Sequence, residues 1–330
     1  MALPYNHPPF EALVFLPLRR LPYLPAYLAW AAINVAFLFI AVRLLHPGAS
    51  SSAATTGLFV AALIFFPVFI TLFQGQDLIL LLLIVSAAYA FIKRGYDFRA
   101  GITLGLGLFR PELALPMTLL ISVNRGKRFA AGFFIAAAGL TVISVAVVGW
   151  QCLLAYPGYV WHMERVHGHG SIVPAVMPNF RGIVALLCRN KKVGLLTTTL
   201  ISVIVFAISL QQIRSAKISR STERVFCAAV LCALLVSFHA LIHDLALLVI
   251  PIMFICAEWV NPQQPLSLRE CRILFWPVLF FFCTPMLLFL WLGVEMFSLV
   301  TLVLSVWLWG ILVILKPIAA TPQILAFERT

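Results

Sequence analysis

Long apolar runs, separated by short polar segments, make up most of the chain. A run of about 20 mostly apolar residues is long enough to cross a bilayer as an α-helix. Runs that reach or approach this length lie at residues 25–44, 57–73, 77–92, 129–149, 194–212, 225–240, 244–258, 273–292 and 294–315. The pattern therefore predicts an all-α polytopic integral membrane protein with about nine transmembrane helices.

A further apolar segment, residues 96–123, is interrupted in its middle by Arg110-Pro111-Glu112. Proline breaks a helix, and charged side chains are costly against lipid. Basic clusters flank the segment on both sides. We therefore expect a re-entrant hairpin of two half-helices that enters and leaves on the cytoplasmic side. A single full crossing is the open alternative, and it would reverse the orientation of everything downstream.

The basic residues orient the chain in the membrane. With the hairpin, fifteen of the 23 Lys and Arg residues fall on the cytoplasmic side and seven on the outer side, as the positive-inside rule requires. The outer face then carries an amphipathic segment at 1–24, the turn at 74–77, the tip at 239–244 and a loop at 150–193. A loop of that length without regular structure usually carries function. We expect residues 1–330 to form a single transmembrane domain.

The composition excludes several classes of protein. The chain is 63% hydrophobic and 10% charged, with a mean hydropathy of +1.05, whereas soluble domains are about half apolar and a quarter charged. A soluble enzyme, a disordered chain and a nucleic-acid binder are therefore excluded. The net charge of +12 follows from the basic cytoplasmic loops. The seven cysteines show no metal-binding spacing, so a divalent metal is possible but not indicated.

Charged and polar residues in apolar surroundings are the first candidates for chemistry. Arg110 could hold a phosphate through paired hydrogen bonds, or it could pair with Glu112 or another carboxylate and stabilise the hairpin. Asp77 follows Gln76 at the start of the run 77–92. It could cap that helix, or it could contact a substrate hydroxyl or a cation.

A second group of candidates lies at the end of another apolar run. His239 and His243 are four residues apart, which predicts that they share one helix face, and Asp244 follows directly. Paired histidines at this spacing can bind a metal, although no third-ligand motif accompanies them. The group could instead orient a sugar, bind a phosphate or form a polar helix end.

Several short motifs occur in a fixed order along the chain. They are Tyr5-Asn6-His7-Pro8-Pro9-Phe10, Gly75-Gln76-Asp77, Ala100-Gly101, Arg110-Pro111, Pro178-Asn179-Phe180-Arg181-Gly182 and His239…His243-Asp244-Leu245. From about residue 4 to about residue 260, this series resembles glycosyltransferase family 87. Members of that family are membrane glycosyltransferases of the GT-C class, and the resemblance implies a GT-C-like helical bundle.

The resemblance also implies an activity. A sugar, mannose or another hexose, would pass from a polyprenyl-phosphate donor to a lipid or glycan acceptor at the outer face of the plasma (inner) membrane. A carboxylate would deprotonate the acceptor hydroxyl, and a cation would stabilise the leaving phosphate. The resemblance implies membrane lipids as further partners. It implies no cofactor and no nucleic acid. The donor-phosphate and substrate contacts carried over are Arg110, Gln76, Asp77, His239, His243, Asp244, Asn179 and Arg181.

One departure from the family pattern concerns the catalytic base. Family members carry an additional transmembrane helix and an acidic outer loop ahead of the Pro-Pro-Phe motif, whereas seven residues precede that motif here. The resemblance thus predicts that the helix, the loop and the usual base are absent from this chain. Either the start is misassigned, or the protein is a fragment, or another carboxylate substitutes, with Glu11 and Asp77 as the nearest outer-face candidates. A transporter or lipid flippase, with broken helices and intramembrane charge, and a non-catalytic membrane subunit remain alternatives.

Overall fold

The computed structural model describes residues 7–46, 52–167, 174–215, 222–260 and 268–315. Within these residues all regular structure is helical, and no strand occurs. The α-helices are α1 Ala12–Phe15, α2 Tyr23–Leu45, α3 Ser52–Ile64, α4 Phe66–Phe73, α5 Leu78–Lys93, α6 Asp97–Gly105, α7 Pro111–Arg125, α8 Lys127–Val148, α9 Trp150–His167, α10 Phe180–Leu187, α11 Lys191–Ser215, α12 Thr222–Val236, α13 Val249–Val260, α14 Leu268–Phe282, α15 Thr284–Leu288 and α16 Val300–Leu315. The 3-10 helices are Pro9–Glu11, Leu16–Arg20, Leu106–Phe109, Pro174–Val176, Ile242–Leu248 and Phe297–Leu299, and Phe289–Gly293 is a π-helix.

Several of these helices are long and apolar enough to cross a membrane. In the described residues they are α2, α8, α11 and the stretch Phe297–Leu315, and two bent helix pairs raise the number to six if each pair is one span. Helix α5 and the stretch Ile242–Ala257 are apolar but shorter. A membrane protein is therefore well supported, whereas the count of nine crossings stays a prediction.

Two of the predicted spans are bent rather than continuous. The run 57–73 divides into α3 and α4 with a bend of 67°, and the run 273–292 divides at Cys283 with a bend of 68°. Pro67 and Pro285 are the second residues of the helices that follow these breaks. Proline has no N–H to donate to the carbonyl four residues earlier. The expectation of continuous helices is therefore wrong at these two places.

Helix α12 lies at the centre of the molecule, and every side chain from Val225 to Leu235 is at most 2% exposed. The predicted helix 225–240 is too long, because α12 ends at Val236. The Ser237 hydroxyl bonds to both the N–H and the carbonyl of His239, and such local bonds compete with helix formation. A 3-10 helix then begins at Ile242, so the prediction that His239 and His243 share a helix face is wrong.

Small residues allow α6 and α8 to pack closely. A β-carbon on Gly101 would overlap the carbonyl of Phe129, and a β-carbon on Gly132 would overlap the carbonyl of Phe98. Glycine at such positions lets two helix backbones approach each other, a common device in membrane proteins. The contact fixes α6, whose C-terminal end leads directly into the break at Arg110.

The segment 96–123 is broken where the sequence predicts. Arg110 separates the 3-10 helix Leu106–Phe109 from α7 and has φ −118° and ψ 70°, since a residue that precedes proline is disfavoured in the α conformation. Arg125 at the end of α7 donates from Nε to Oδ1 of Asp97 at the start of α6, over 2.9 Å. The two ends of the segment therefore lie side by side.

The segment 150–193 differs from its prediction. It contains α9, the 3-10 helix Pro174–Val176, α10 and the beginning of α11, while residues 168–173 lie outside the described residues. The expectation of a loop without regular structure is wrong for the described part. The helix α9 is not evident from the sequence, because the segment has frequent polar residues and an internal proline at position 157.

The N-terminal segment forms short helical turns from Pro9 to Arg20; residues 1–6 lie outside the described residues. Phe15 packs edge-on against Trp30 of α2, with ring centroids 4.9 Å apart. Trp30 in turn donates from Nε1 to the carbonyl oxygen of Gly75 over 3.0 Å. Helix α2 thus connects the N-terminal segment to the turn between α4 and α5.

Candidate functional site

Polar side chains from four separate parts of the chain meet at one place. They come from the N-terminal turns, the turn before α5, the break before α7 and the 3-10 helix Ile242–Leu248. We call this group the polar cluster, and its members are His7, Glu11, Asp77, Arg110, Glu112, His243 and Asp244. The sequence assigns three of these parts to the outer face and leaves the break before α7 within the hairpin, and the structure brings all four into contact.

Arg110 is held mainly by Asp77. Its Nη2 and Nε atoms donate to Oδ1 of Asp77 over 2.6 and 3.0 Å, and Nη2 also donates to Oε1 of Gln76 over 3.1 Å. Arg110 is 6% exposed and Asp77 is 4% exposed. Pairing with a carboxylate is therefore the alternative that the structure supports for Arg110, with Asp77 as the main partner.

Asp77 occupies the N-cap position of α5, but its carboxylate makes no capping hydrogen bond. The prediction that its side chain caps the helix is wrong, because the carboxylate is bound to Arg110 instead. Burial alone would raise the pKa of Asp77, but the neighbouring guanidinium outweighs burial and holds the pKa below its usual range. Asp77 is thus an ionised partner in a buried pair.

Two more carboxylates face the remaining nitrogen of Arg110. Nη1 lies 4.0 Å from Oε1 of Glu112 and 3.9 Å from Oδ1 of Asp244. Asp244 accepts a hydrogen bond at Oδ2 from the N–H of Leu241 over 2.6 Å, whereas its buried Oδ1 has no hydrogen-bond partner among the described residues. The side chain of Glu112 is 25% exposed, against 5% for Asp77 and 1% for Asp244. Of these three carboxylates, Glu112 is the most exposed.

His7 and Glu11 form the N-terminal side of the polar cluster. His7 Nδ1 lies 2.8 Å from Oε2 of Glu11 and 3.7 Å from Oδ2 of Asp77. Burial raises the pKa of Glu11 to about 7, although the hydrogen bond with His7 acts against this rise. Burial lowers the pKa of His7, but the bond with Glu11 outweighs it, so the pKa of His7 is raised. The pair can therefore hold or release a proton near neutral pH.

His243 belongs to the polar cluster. His239 lies outside the 3-10 helix Ile242–Leu248, which contains His243. Nδ1 of His243 lies 2.9 Å from Oε1 of Gln74, and Nε2 lies 3.7 Å from Oδ1 of Asp244. Thr71 also donates its hydroxyl to the carbonyl of His243 over 3.1 Å. The predicted pair is therefore divided: His243 faces the carboxylates, and His239 belongs to the turn after α12.

Asn179 and Arg181 brace that turn from the side of α10. Asn179 is fully buried, accepts a hydrogen bond from the N–H of Gly182 over 3.0 Å and donates to the carbonyl of Ser237 over 2.9 Å. Arg181 donates to the carbonyl of Phe238 over 3.2 Å, and its guanidinium lies 3.9 Å from the centre of the Phe238 ring. These contacts hold the chain that leads to His243 and Asp244.

Sequence reasoning does not single out His7, and it considers Glu112 only as a partner of Arg110. His7 and Glu11 are four residues apart, a spacing at which side chains meet in a helical turn, and that spacing is a usable signal. The contact between His7 and Asp77 joins distant parts of the chain. No local pattern in the sequence indicates it.

Comparison with known proteins gives one match. The chain fits the model of glycosyltransferase family 87 over residues 5–257. Searches of curated proteins and of solved structures found no match. The matched range includes the whole polar cluster and extends over well more than half of the 330 residues. By this match, the chain belongs to glycosyltransferase family 87.

Proposed function

We propose that this membrane glycosyltransferase moves a hexose, mannose or a close relative, from a polyprenyl-phosphate donor to a lipid or glycan acceptor. Membership in the family supports sugar transfer, and the apolar helices support a membrane location. The donor, the sugar, the acceptor and the outer face of the plasma (inner) membrane are our extension. The observation that carries the proposal is the convergence of carboxylates around Arg110 in an otherwise apolar molecule.

We assign the role of general base to Glu112. Sugar transfer requires a carboxylate that takes the proton of the acceptor hydroxyl. Asp77 is bound to Arg110, and Glu11 is 3% exposed and bonded to His7. The side chain of Glu112 is 25% exposed and 4.0 Å from Arg110, so it combines access with a neighbouring positive charge. This assignment replaces Glu11 and Asp77 as the first choice.

Arg110 has two roles in the proposal. Its Nε and Nη2 atoms fix Asp77, and Nη1, which makes only the longer contacts of 3.9 and 4.0 Å, is left for an oxygen of the leaving phosphate. A fixed cation beside a developing negative charge stabilises the transition state. Gln76, His243 and Asp244 surround this position. The turn that contains His239 does not contact the reacting atoms. Together with Asn179 and Arg181, it holds His243 and Asp244 in place.

We also propose a GT-C-like bundle of about nine spans, with residues 96–123 as a re-entrant hairpin. The ion pair between Asp97 and Arg125 supports the hairpin, because it joins the first and last turns of the segment. A second pair, Lys93 with Glu223 at 2.7 Å, joins the end of α5 to the start of α12. Both pairs lie at helix ends opposite to those that meet in the polar cluster.

The test is transfer of radiolabelled sugar by the full chain in lipid nanodiscs, with polyprenyl-phosphate mannose and a membrane lipid extract as acceptor. We expect labelled product from the wild type and a loss of rate of about 100-fold or more in Glu112→Gln, the range for removal of a general base. Glu295→Gln is the matched control, since Glu295 is exposed and outside the polar cluster.

Unchanged transfer by a folded Glu112→Gln variant would contradict the assignment of the base. Failure of the wild type with a panel of polyprenyl-phosphate hexoses would contradict the proposed donor. Movement of the donor across a vesicle membrane without any transfer would favour the transporter or flippase. Neither transfer nor movement would favour a non-catalytic subunit.

A further inference from the structure

Three atoms of the kind that bind metals converge on the N-terminal side of the polar cluster. Nδ1 of His7, a carboxylate oxygen of Glu11 and one of Asp77 all lie within 4.8 Å of one another. His7 Nδ1 is 2.8 Å from Glu11 and 3.7 Å from Asp77. Ligands placed about 2.1 Å from a tetrahedral zinc ion lie about 3.4 Å apart, so small side-chain movements produce a coordination geometry.

The two oxygens of Asp77 share Arg110 unequally, since Oδ2 accepts the longest of the three hydrogen bonds, from Nε over 3.3 Å. Oδ1 receives the shorter hydrogen bonds from Arg110, at 2.6 and 3.0 Å, and Oδ2 is the oxygen nearest to His7. One carboxylate can therefore keep its contact with the guanidinium and still offer an oxygen to a cation. The ion pair that fixes Asp77 also orients it toward the other two ligands.

The polar cluster holds more carboxyl groups than cationic side chains. It contains four carboxyl groups, one guanidinium and two imidazoles, and buried carboxylates are costly unless they are paired. Asp244 is fully buried, and its Oδ1 faces Arg110 across 3.9 Å without a hydrogen-bond partner. A dication bound to Asp77 would compensate part of the negative charge and leave Arg110 more available to Asp244.

From these contacts we propose that His7, Glu11 and Asp77 form a binding site for a divalent transition-metal cation of the Zn²⁺ or Mn²⁺ class. One imidazole nitrogen and two carboxylates suit such ions, whereas Mg²⁺ and Ca²⁺ prefer oxygen ligands alone. The side chain of His7 is 30% exposed, so the cation enters from that side. It keeps open positions there for water or for a substrate oxygen. The site is independent of which sugar or acceptor the protein uses.

The experiment measures metal binding rather than transfer. The full chain in lipid nanodiscs is stripped with a chelator, and Zn²⁺ and Mn²⁺ are titrated separately by calorimetry, with thermal unfolding followed by tryptophan fluorescence. We expect one ion per chain and a higher unfolding temperature when it is bound. His7→Ala and Glu11→Gln should each weaken binding by at least about tenfold, because even indirect partners of metal ligands cost 10–100-fold.

His162→Ala is the matched control, since His162 is an exposed histidine on α9, and its affinity for the ion should equal that of the wild type. If Glu11→Gln does not fold, His7→Ala decides the question, because the partly exposed His7 can be truncated with little loss of packing. A folded wild type that binds neither ion would overturn the proposal, as would His7→Ala with undiminished affinity.

Discussion

The guanidinium of Arg110 contacts three carboxylates, and the contacts are unequal. Asp77 receives its short hydrogen bonds, while Glu112 and Asp244 lie about one ångström farther away. A buried charge that loses its only close partner is far more costly than a surface charge that does so. The pair of Arg110 and Asp77 should therefore matter for stability as well as for chemistry.

We expect Arg110→Met to lower the free energy of unfolding by about 3–5 kcal/mol, the usual cost of an unpaired buried charge. Adding Asp77→Asn should recover part of this loss, because the orphaned charge is then removed. The control is Arg125→Met, which breaks a more exposed pair with Asp97 and should cost about 1 kcal/mol or less. Thermal or denaturant unfolding in nanodiscs measures all three. Equal losses for Arg110→Met and Arg125→Met would contradict the burial argument.

The variant Asn179→Ala tests whether the hydrogen bonds of Asn179 around the turn before His243 contribute to the stability of the protein. Asn179→Ala removes a helix cap, worth about 1 kcal/mol, and leaves the carbonyl of Ser237 without its donor, at a further cost of about 1–3 kcal/mol. Asn190→Ala removes a cap from α11 at an exposed position and should cost about 1 kcal/mol. Unfolding of both variants by the same method gives the comparison. A loss in Asn179→Ala no larger than that in Asn190→Ala would show that the brace contributes little.

At this scale the sequence identifies the charged residues better than their partners. Arg110 and Asp77 are recognisable because charges in apolar runs are rare and costly. Their pairing links positions 33 residues apart and depends on how the helices pack, which no local pattern reports. His7 is missed for the same reason, since its contact with Asp77 depends on how the N-terminal turns dock.

Among the helices, apolar length alone predicts the position of most elements. Helices α2, α5, α8 and α11 begin and end within three residues of the predicted runs. The bends before α4 and α15 are missed, because a proline inside an apolar run changes neither its length nor its hydropathy. The early end of α12 is missed because it depends on one serine side chain. Hydropathy thus predicts where helices lie, and it does not report their bends.

Close packing of α6 against α8 gives a prediction at the scale of the helix. Gly132→Ala places a methyl group against the carbonyl of Phe98 and should destabilise the protein by about 1–3 kcal/mol, as overpacking does. Gly139→Ala is the control on the same helix: in the described part of the chain, nothing lies within 4 Å of the new methyl group. Alanine is the better helix former there by about 0.5–1 kcal/mol. The unfolding temperatures of the two variants should therefore shift in opposite directions. An unchanged or higher unfolding temperature for Gly132→Ala would contradict the close contact between α6 and α8.

At the scale of the molecule, the ion pairs of the described residues divide into two groups at opposite helix ends. The polar cluster includes the residues just before α5 and α7, whereas the pairs of Lys93 with Glu223 and of Asp97 with Arg125 lie at the other ends of these helices. Basic residues are frequent near the second group. From the positive-inside rule we expect that end to face the cytoplasm and the polar cluster to face outward.

The proposed hairpin at 96–123 determines the expected orientation of every later span, and cysteine labelling tests it. Ser215 at the end of α11 and Arg20 in the N-terminal segment are both exposed. In a variant whose seven native cysteines are replaced, we expect Arg20→Cys to react with an impermeant maleimide in intact cells. Ser215→Cys should react only after the membrane is permeabilised. A single full crossing at 96–123 would place both positions outside, because it reverses every later span. Labelling of Ser215→Cys in intact cells would therefore reject the hairpin and with it the placement of the His243–Asp244 helix beside the outer face.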